Sequence, residues 1–88
     1  MTDSRHRQLS RIYQHPIEDG DDARAAIAAD PGVLASALFL EAVESDDVTS
    51  IESAQQYLAD RIEFFGDLVS LAAEPIRAEF ETRVQAWR

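Results

Sequence analysis

The chain has 88 residues, of which 45% are hydrophobic, and it carries no cysteine and a formal net charge of −9 at pH 7. This length predicts one small domain spanning residues 1–88, with a modest core. The lack of cysteine excludes disulfides, thiolate metal sites and cysteine nucleophiles, and it favours a cytoplasmic location. The N-terminal residues lack the apolar segment of a secretory signal, and no run approaches the roughly 18 apolar residues of a membrane span.

The charge is distributed unevenly along the chain. Residues 1–15 carry Arg5, Arg7 and Arg11 against one acidic residue, whereas residues 16–88 carry 16 acidic residues and five arginines. A short basic N-terminal arm therefore precedes an acidic helical body. Because the overall charge repels nucleic acid, we expect no direct nucleic-acid binding, and we expect the arm to lie against the acidic surface of the chain itself.

Two short helices are predicted at the N-terminus. The first covers roughly residues 3–14, where apolar side chains recur at i, i+3 and i+4, and it ends before Pro16 because the residue preceding a proline avoids the helical region. An acidic turn follows. A second, alanine-rich helix is predicted over residues 23–29, with Asp21 or Asp22 as its N-cap.

The third and fourth helices have clear start signals. Asp30 as N-cap and Pro31 at the first helical position predict a helix over about residues 31–45. Its apolar residues fall on nearly every side, which is typical of a helix buried on several faces. Further along, Thr49 and Glu52 match the capping box, in which each side chain bonds the backbone of the other residue.

The C-terminal half has the most regular apolar spacing. Apolar residues alternate at three- and four-residue intervals from Ile51 to Ile76, which indicates the seam of an amphipathic helix. Pro75 interrupts this pattern, because proline lacks a backbone donor and clashes with the preceding turn. We therefore predict a long helix of about residues 50–73 and a proline-started helix of about residues 75–87. With no strand signal, the fold class is all-α, a small bundle of four to five helices.

No motif of catalysis or metal binding is convincing. The acidic residues near His15 lack the ligand spacing of a calcium loop and are explained by a helix-capping turn. Glu63 and Asp67 are four residues apart, but the Glu-x-x-His partner of a di-iron bundle does not occur. Only three glycines are present, so no phosphate-binding loop is formed. The sequence predicts no catalytic residue, no metal, no cofactor and no enzymatic activity.

An apolar stripe along the C-terminal helices is the first candidate binding surface. It comprises Tyr57, Phe64, Phe65, Leu68, Leu71, Ile76, Phe80 and Trp87. It looks wider than one neighbouring helix can cover, although the two N-terminal helices are the alternative cover. The stripe predicts a small acidic non-catalytic interaction factor, of accessory, adaptor, chaperone-like or regulatory type. Its expected partner is another protein or a second copy in a homodimer, and not a membrane.

An acidic ridge is the second candidate surface. It comprises Glu52, Glu63, Asp67 and Glu74, spaced along the helical face opposite the seam. Such a stripe is ordinarily a solvated face. The alternative is an inhibitor that mimics nucleic acid and occupies a basic groove on a DNA- or RNA-binding protein.

Overall fold

The computed structural model describes residues 4–87, which fold as a bundle of α-helices without a strand. The helices are α1 (Ser4–Tyr13), α2 (Gly20–Ala29), α3 (Pro31–Glu44), α4 (Ile51–Phe65) and α5 (Ala73–Trp87), and a 3₁₀ turn, Gly66–Leu68, follows α4. The predicted all-α class is confirmed for this part of the chain. Residues 1–3 of the basic arm, including the predicted first residue of α1, and Arg88 lie outside it.

The helix α3 is the centre of the bundle, and it packs against each of the other four α-helices. Its fully buried side chains are Leu34, Ala35, Leu38 and Ala42. The prediction of an apolar helix buried on several sides is therefore confirmed. Pro31 lies in the first turn as predicted, but the Asp30 side chain makes no capping hydrogen bond.

The two N-terminal helices are delimited by local backbone chemistry. Helix α1 ends at Tyr13, and Gln14 adopts a positive φ of 59°, the left-handed conformation that often follows a helix. Helix α2 begins one turn earlier than predicted, because Asp19 is its N-cap and Asp19 Oδ1 accepts a hydrogen bond from Asp22 N at 2.8 Å. The predicted caps, Asp21 and Asp22, are therefore wrong.

A serine pair starts α4. Ser50 Oγ accepts a hydrogen bond from Ser53 N at 3.1 Å, and Ser53 Oγ accepts one from Ser50 N at 2.9 Å. This is a capping box with a serine hydroxyl in the place that glutamate usually occupies. The predicted box of Thr49 and Glu52 is displaced by one residue.

The end of α4 differs most from prediction. The helix stops at Phe65 and does not continue to Ala73. Gly66 adopts φ 56° and ψ −124°, a backbone conformation that residues other than glycine rarely adopt. Residues 69–72 then turn the chain. Helix α5 begins at Ala73, so Pro75 lies within its first turn, where the backbone N–H groups have no intrahelical partner.

Side chains from every helix meet in one core. The largest fully buried ones are Phe65, Phe80, Leu9, Ile27, Leu34, Leu38, Ile76, Val69 and Val84. Phe39 joins α3 to α5 through edge-on ring contacts, with centroid distances of 6.0 Å to Phe80 and 6.4 Å to Trp87. Val69 is buried although it lies in the turn after α4, so the regular apolar spacing continues beyond the C-terminal end of the helix.

Candidate functional site

A cleft of about 600 Å³ opens between α1, α4 and the C-terminal end of α3. It is lined by Ser4, Arg7, Gln8, Arg11, Ile12, Glu41, Glu44, Ser45, Tyr57 and Arg61. We call it the arginine cleft, because three of the eight arginines of the chain line it. Its volume lies within the roughly 300–1,000 Å³ typical of small-ligand pockets.

The α1 wall of the cleft presents Arg7 and Arg11. The two side chains lie on the same side of the helix because they are four residues apart. Neither forms an ion pair with a carboxylate of residues 4–87. Arg5 differs, since its Nη1 donates to the Phe65 carbonyl oxygen at 3.1 Å and lies 3.5 Å from Asp67 Oδ1. Arg5 thus lies against the acidic body, whereas Arg7 and Arg11 line the cleft.

The α4 wall presents Tyr57 and Arg61. The Tyr57 hydroxyl donates to Glu41 Oε2 at 3.1 Å, and burial together with the Glu41 charge raises the pKa of Tyr57, which the nearby Arg61 charge partly opposes. Arg61 Cζ lies 4.2 Å from the centroid of the Phe64 ring, a cation–π contact. Arg61 Nε is buried and has no hydrogen-bond partner in the described structure. The Arg61 side chain is therefore held by an aromatic ring with part of its donor capacity unused.

This arrangement is suited to holding an anion. A guanidinium is planar and offers several N–H donors in a fork that matches a carboxylate or phosphate. Glu41 and Glu44 add acceptors on the α3 wall. The cleft therefore combines three cationic groups with a smaller number of acidic ones.

The apolar stripe is divided between core and surface. Four of its residues are core residues, at most 3% exposed: Phe65, Leu68, Ile76 and Phe80. Tyr57 and Trp87 are half-buried and pack against that core. Phe64 and Leu71 project outward, with exposed fractions of 36% and 90%. The chain itself therefore covers most of the stripe, largely through contacts of α4 and α5 with α3.

Phe64 and Leu71 both lie where the chain passes from α4 to α5. We call residues 64–72 the α4–α5 corner. Besides these two, Leu40 on α3, at 55%, is the other large hydrophobic residue of the described chain that is exposed. Few large hydrophobic residues of the described chain are thus exposed, and the most exposed of them, Leu71, lies in the corner.

The acidic ridge is not a single helical face. Glu52 and Glu63 lie on α4, Asp67 lies in the 3₁₀ turn and Glu74 lies in the first turn of α5. All four are exposed. Asp67 is also paired with two arginines, from α1 and α2, at N–O distances of 3.5 and 3.2 Å. Its charge is therefore partly neutralised within the chain.

The acidic turn before α2 has structural contacts. Asp19 caps α2, Asp22 Oδ2 accepts a hydrogen bond from Glu18 N at 3.3 Å, and Asp21 pairs with Arg24. Across residues 4–87, no group of three or more His, Cys, Asp or Glu side chains is arranged to hold a metal ion.

Comparison with known protein families, with curated proteins and with solved structures finds no match to this chain. In the described part of the chain, no single helix has both the length and the apolar character to cross a membrane. The pair α2 and α3 reaches that threshold only in combination, and the two helices meet at 92°.

The arginine cleft was not evident from the sequence. The signal that was available is the Arg7–Arg11 pair, four residues apart on one side of α1 and apart from its apolar face. The position of Arg61 opposite that pair depends on how α1 and α4 each pack against α3, which no local pattern specifies.

Proposed function

We propose that this chain is a small, acidic, non-catalytic interaction factor, of accessory, adaptor, chaperone-like or regulatory type, that binds protein through the α4–α5 corner. The observation that carries this proposal is the 90% exposure of Leu71. A leucine so exposed contributes almost no burial to its own fold. Its transfer into a partner would contribute roughly 1.5–3 kcal/mol to binding.

The surroundings of Leu71 support the same proposal. Phe64 lies in the same corner, is 36% exposed and carries the Arg61 guanidinium against its ring. Aromatic and arginine side chains are enriched among the residues that dominate binding energy at protein interfaces. The corner thus offers an aliphatic anchor and an aromatic ring, and a cation from the neighbouring turn of α4 lies against that ring.

The proposed partner is another protein or a second copy of the chain, which would form a homodimer. We also propose a cytoplasmic location, since a chain that folds without disulfides needs no oxidising compartment. The nucleic-acid mimic is less well supported, because Asp67 is paired with arginines of the chain itself.

The test compares the wild type with Leu71→Ser and with Leu40→Ser, a matched control that also removes an exposed leucine. Sedimentation velocity over a range of concentrations measures self-association, and affinity capture from a lysate of the source cells measures partner binding. We expect one of these associations to be lost in Leu71→Ser and kept in Leu40→Ser, with unchanged thermal unfolding. The proposal would be refuted by a monomeric wild type together with the same captured proteins in Leu71→Ser and Leu40→Ser.

A further inference from the structure

We propose that the arginine cleft is a binding site for a small oxyanion ligand, whose phosphate or carboxylate group is held between Arg7 and Arg11 of α1 and Arg61 of α4. This site goes beyond the interaction function proposed for the α4–α5 corner and does not depend on it. Its chemistry is that of guanidinium recognition, in which paired N–H donors bind two oxygens of one anionic group.

The arginines of the cleft lack compensating negative charge. The body of the chain is strongly acidic, yet Arg7 and Arg11 form no ion pair with any carboxylate of residues 4–87. Glu41 and Glu44 line the same cleft but do not reach the arginines within ion-pair distance. Three arginines therefore line one cleft, and none of them is neutralised by an ion pair within residues 4–87.

The Arg61 side chain is preorganised for binding. Arg61 is stacked on the Phe64 ring at 4.2 Å and lies beside the Tyr57 hydroxyl, which is itself fixed by its hydrogen bond to Glu41. A guanidinium that is already ordered loses less conformational freedom when it binds an anion. Its Nε is buried without a hydrogen-bond partner, so the outer nitrogens of the guanidinium are the donors available to a ligand.

The charge and the volume of the cleft favour a small ligand. The net charge of −9 and the two glutamates of the cleft repel a long polyanion such as nucleic acid. A ligand with one or two anionic groups would experience mainly the charges of the cleft itself, three arginines against two glutamates, because more distant charges are screened within about 10 Å at ordinary salt. The volume of about 600 Å³ fits such a ligand, and Ile12 on the α1 wall offers an apolar contact for its carbon skeleton.

The experiment is a titration of ¹⁵N-labelled protein followed by NMR, reading the backbone amides and the arginine Nε–Hε signals. Inorganic phosphate and succinate are the two probes, and sodium chloride at matched ionic strength is the baseline. We expect saturable shifts confined to the cleft. Saturation by phosphate alone assigns a phosphoryl ligand, saturation by succinate alone assigns a carboxylate ligand, and saturation by both assigns a general oxyanion site.

Variants separate a specific site from general electrostatics. Arg7→Gln/Arg11→Gln should weaken binding by about tenfold or more, since the loss of one hydrogen bond between charged groups already lowers affinity by about that factor. Arg77→Gln is the matched control, because Arg77 is exposed on α5 outside the cleft. Arg11→Lys retains the charge but loses the guanidinium fork, so it should also weaken binding without altering the fold.

Two results would overturn the proposal. One is a set of shifts that chloride reproduces at equal ionic strength. The other is unchanged affinity in both Arg7→Gln/Arg11→Gln and Arg11→Lys, with circular dichroism confirming that each variant is folded. Leu71→Ser should leave anion binding intact, so the two proposed surfaces can fail independently.

Discussion

Phe39 joins α3 to α5, and its replacement by leucine measures how much that junction stabilises the bundle. The Phe39 ring meets Phe80 and Trp87 edge-on, at centroid distances of 6.0 and 6.4 Å. Leucine keeps most of the apolar burial but loses both ring contacts. Each such contact contributes about 0.5–1.5 kcal/mol beyond burial, so Phe39→Leu should lower the free energy of unfolding by roughly 1–3 kcal/mol.

That loss is measurable without abolishing the fold. A chain of this length has a free energy of unfolding of roughly 4–13 kcal/mol. Urea unfolding should be followed by the fluorescence of Trp87, the only tryptophan, and by far-ultraviolet circular dichroism. Because a domain of this size unfolds in one cooperative step, the two probes should give the same midpoint in each protein.

Leu40→Ala is the control for this experiment. Leu40 is adjacent to Phe39 on α3 but is 55% exposed, so its truncation should change the free energy of unfolding by no more than about 0.5 kcal/mol. If Phe39→Leu costs no more than Leu40→Ala, the aromatic junction between α3 and α5 does not stabilise the protein as inferred.

Three further predictions concern the backbone and the pH dependence. Gly66→Ala should lower stability by roughly 1–3 kcal/mol, because Gly66 has φ 56° and ψ −124°, whereas Gly32→Ala in the first turn of α3 should raise it by about 0.4–1 kcal/mol. A melting temperature that rises in Gly66→Ala and falls in Gly32→Ala would contradict this. Ser50→Ala removes the N-cap of α4 and should cost about 0.5–2 kcal/mol, and an unchanged melting temperature would show that the cap is dispensable. Burial, followed by the charge of Asp30, raises the pKa of Tyr13 to about 12, above that of an unfolded tyrosine near 10. The stabilisation is therefore complete below about pH 10 and is lost as the pH rises towards 12, and Tyr13→Phe should flatten that decline in urea titrations.

The helix positions were predictable wherever one residue decides the local backbone. Pro31 starts α3 as its chemistry requires, and the proline after α1 is consistent with the end of that helix. The apolar spacing across Gly66 was misleading. Val69 and Ala72 remain buried although they lie in a turn, so regular spacing of core residues does not establish that the backbone between them is helical.

The exposure of surface side chains was harder to predict, because it depends on which helices pack against them. Phe64 and Phe65 are adjacent on α4, yet Phe65 is fully buried and Phe64 is 36% exposed. Helix geometry predicts that the two side chains point about 100° apart, but the packing of α4 against its neighbouring helices decides which of them is covered. The same limit applies to Arg61, whose place in the arginine cleft depends on the packing of α1 against α3.

The central position of α3 determines how the domain unfolds. Every other helix packs against it, so no division of the chain leaves two parts that each retain a complete core. A fragment lacking α3 loses Leu34 and Leu38, both at most 1% exposed, and with them the shared packing of its neighbours. The slowest hydrogen exchange should therefore lie in the amides of α3, and exchange there should require unfolding of the whole domain.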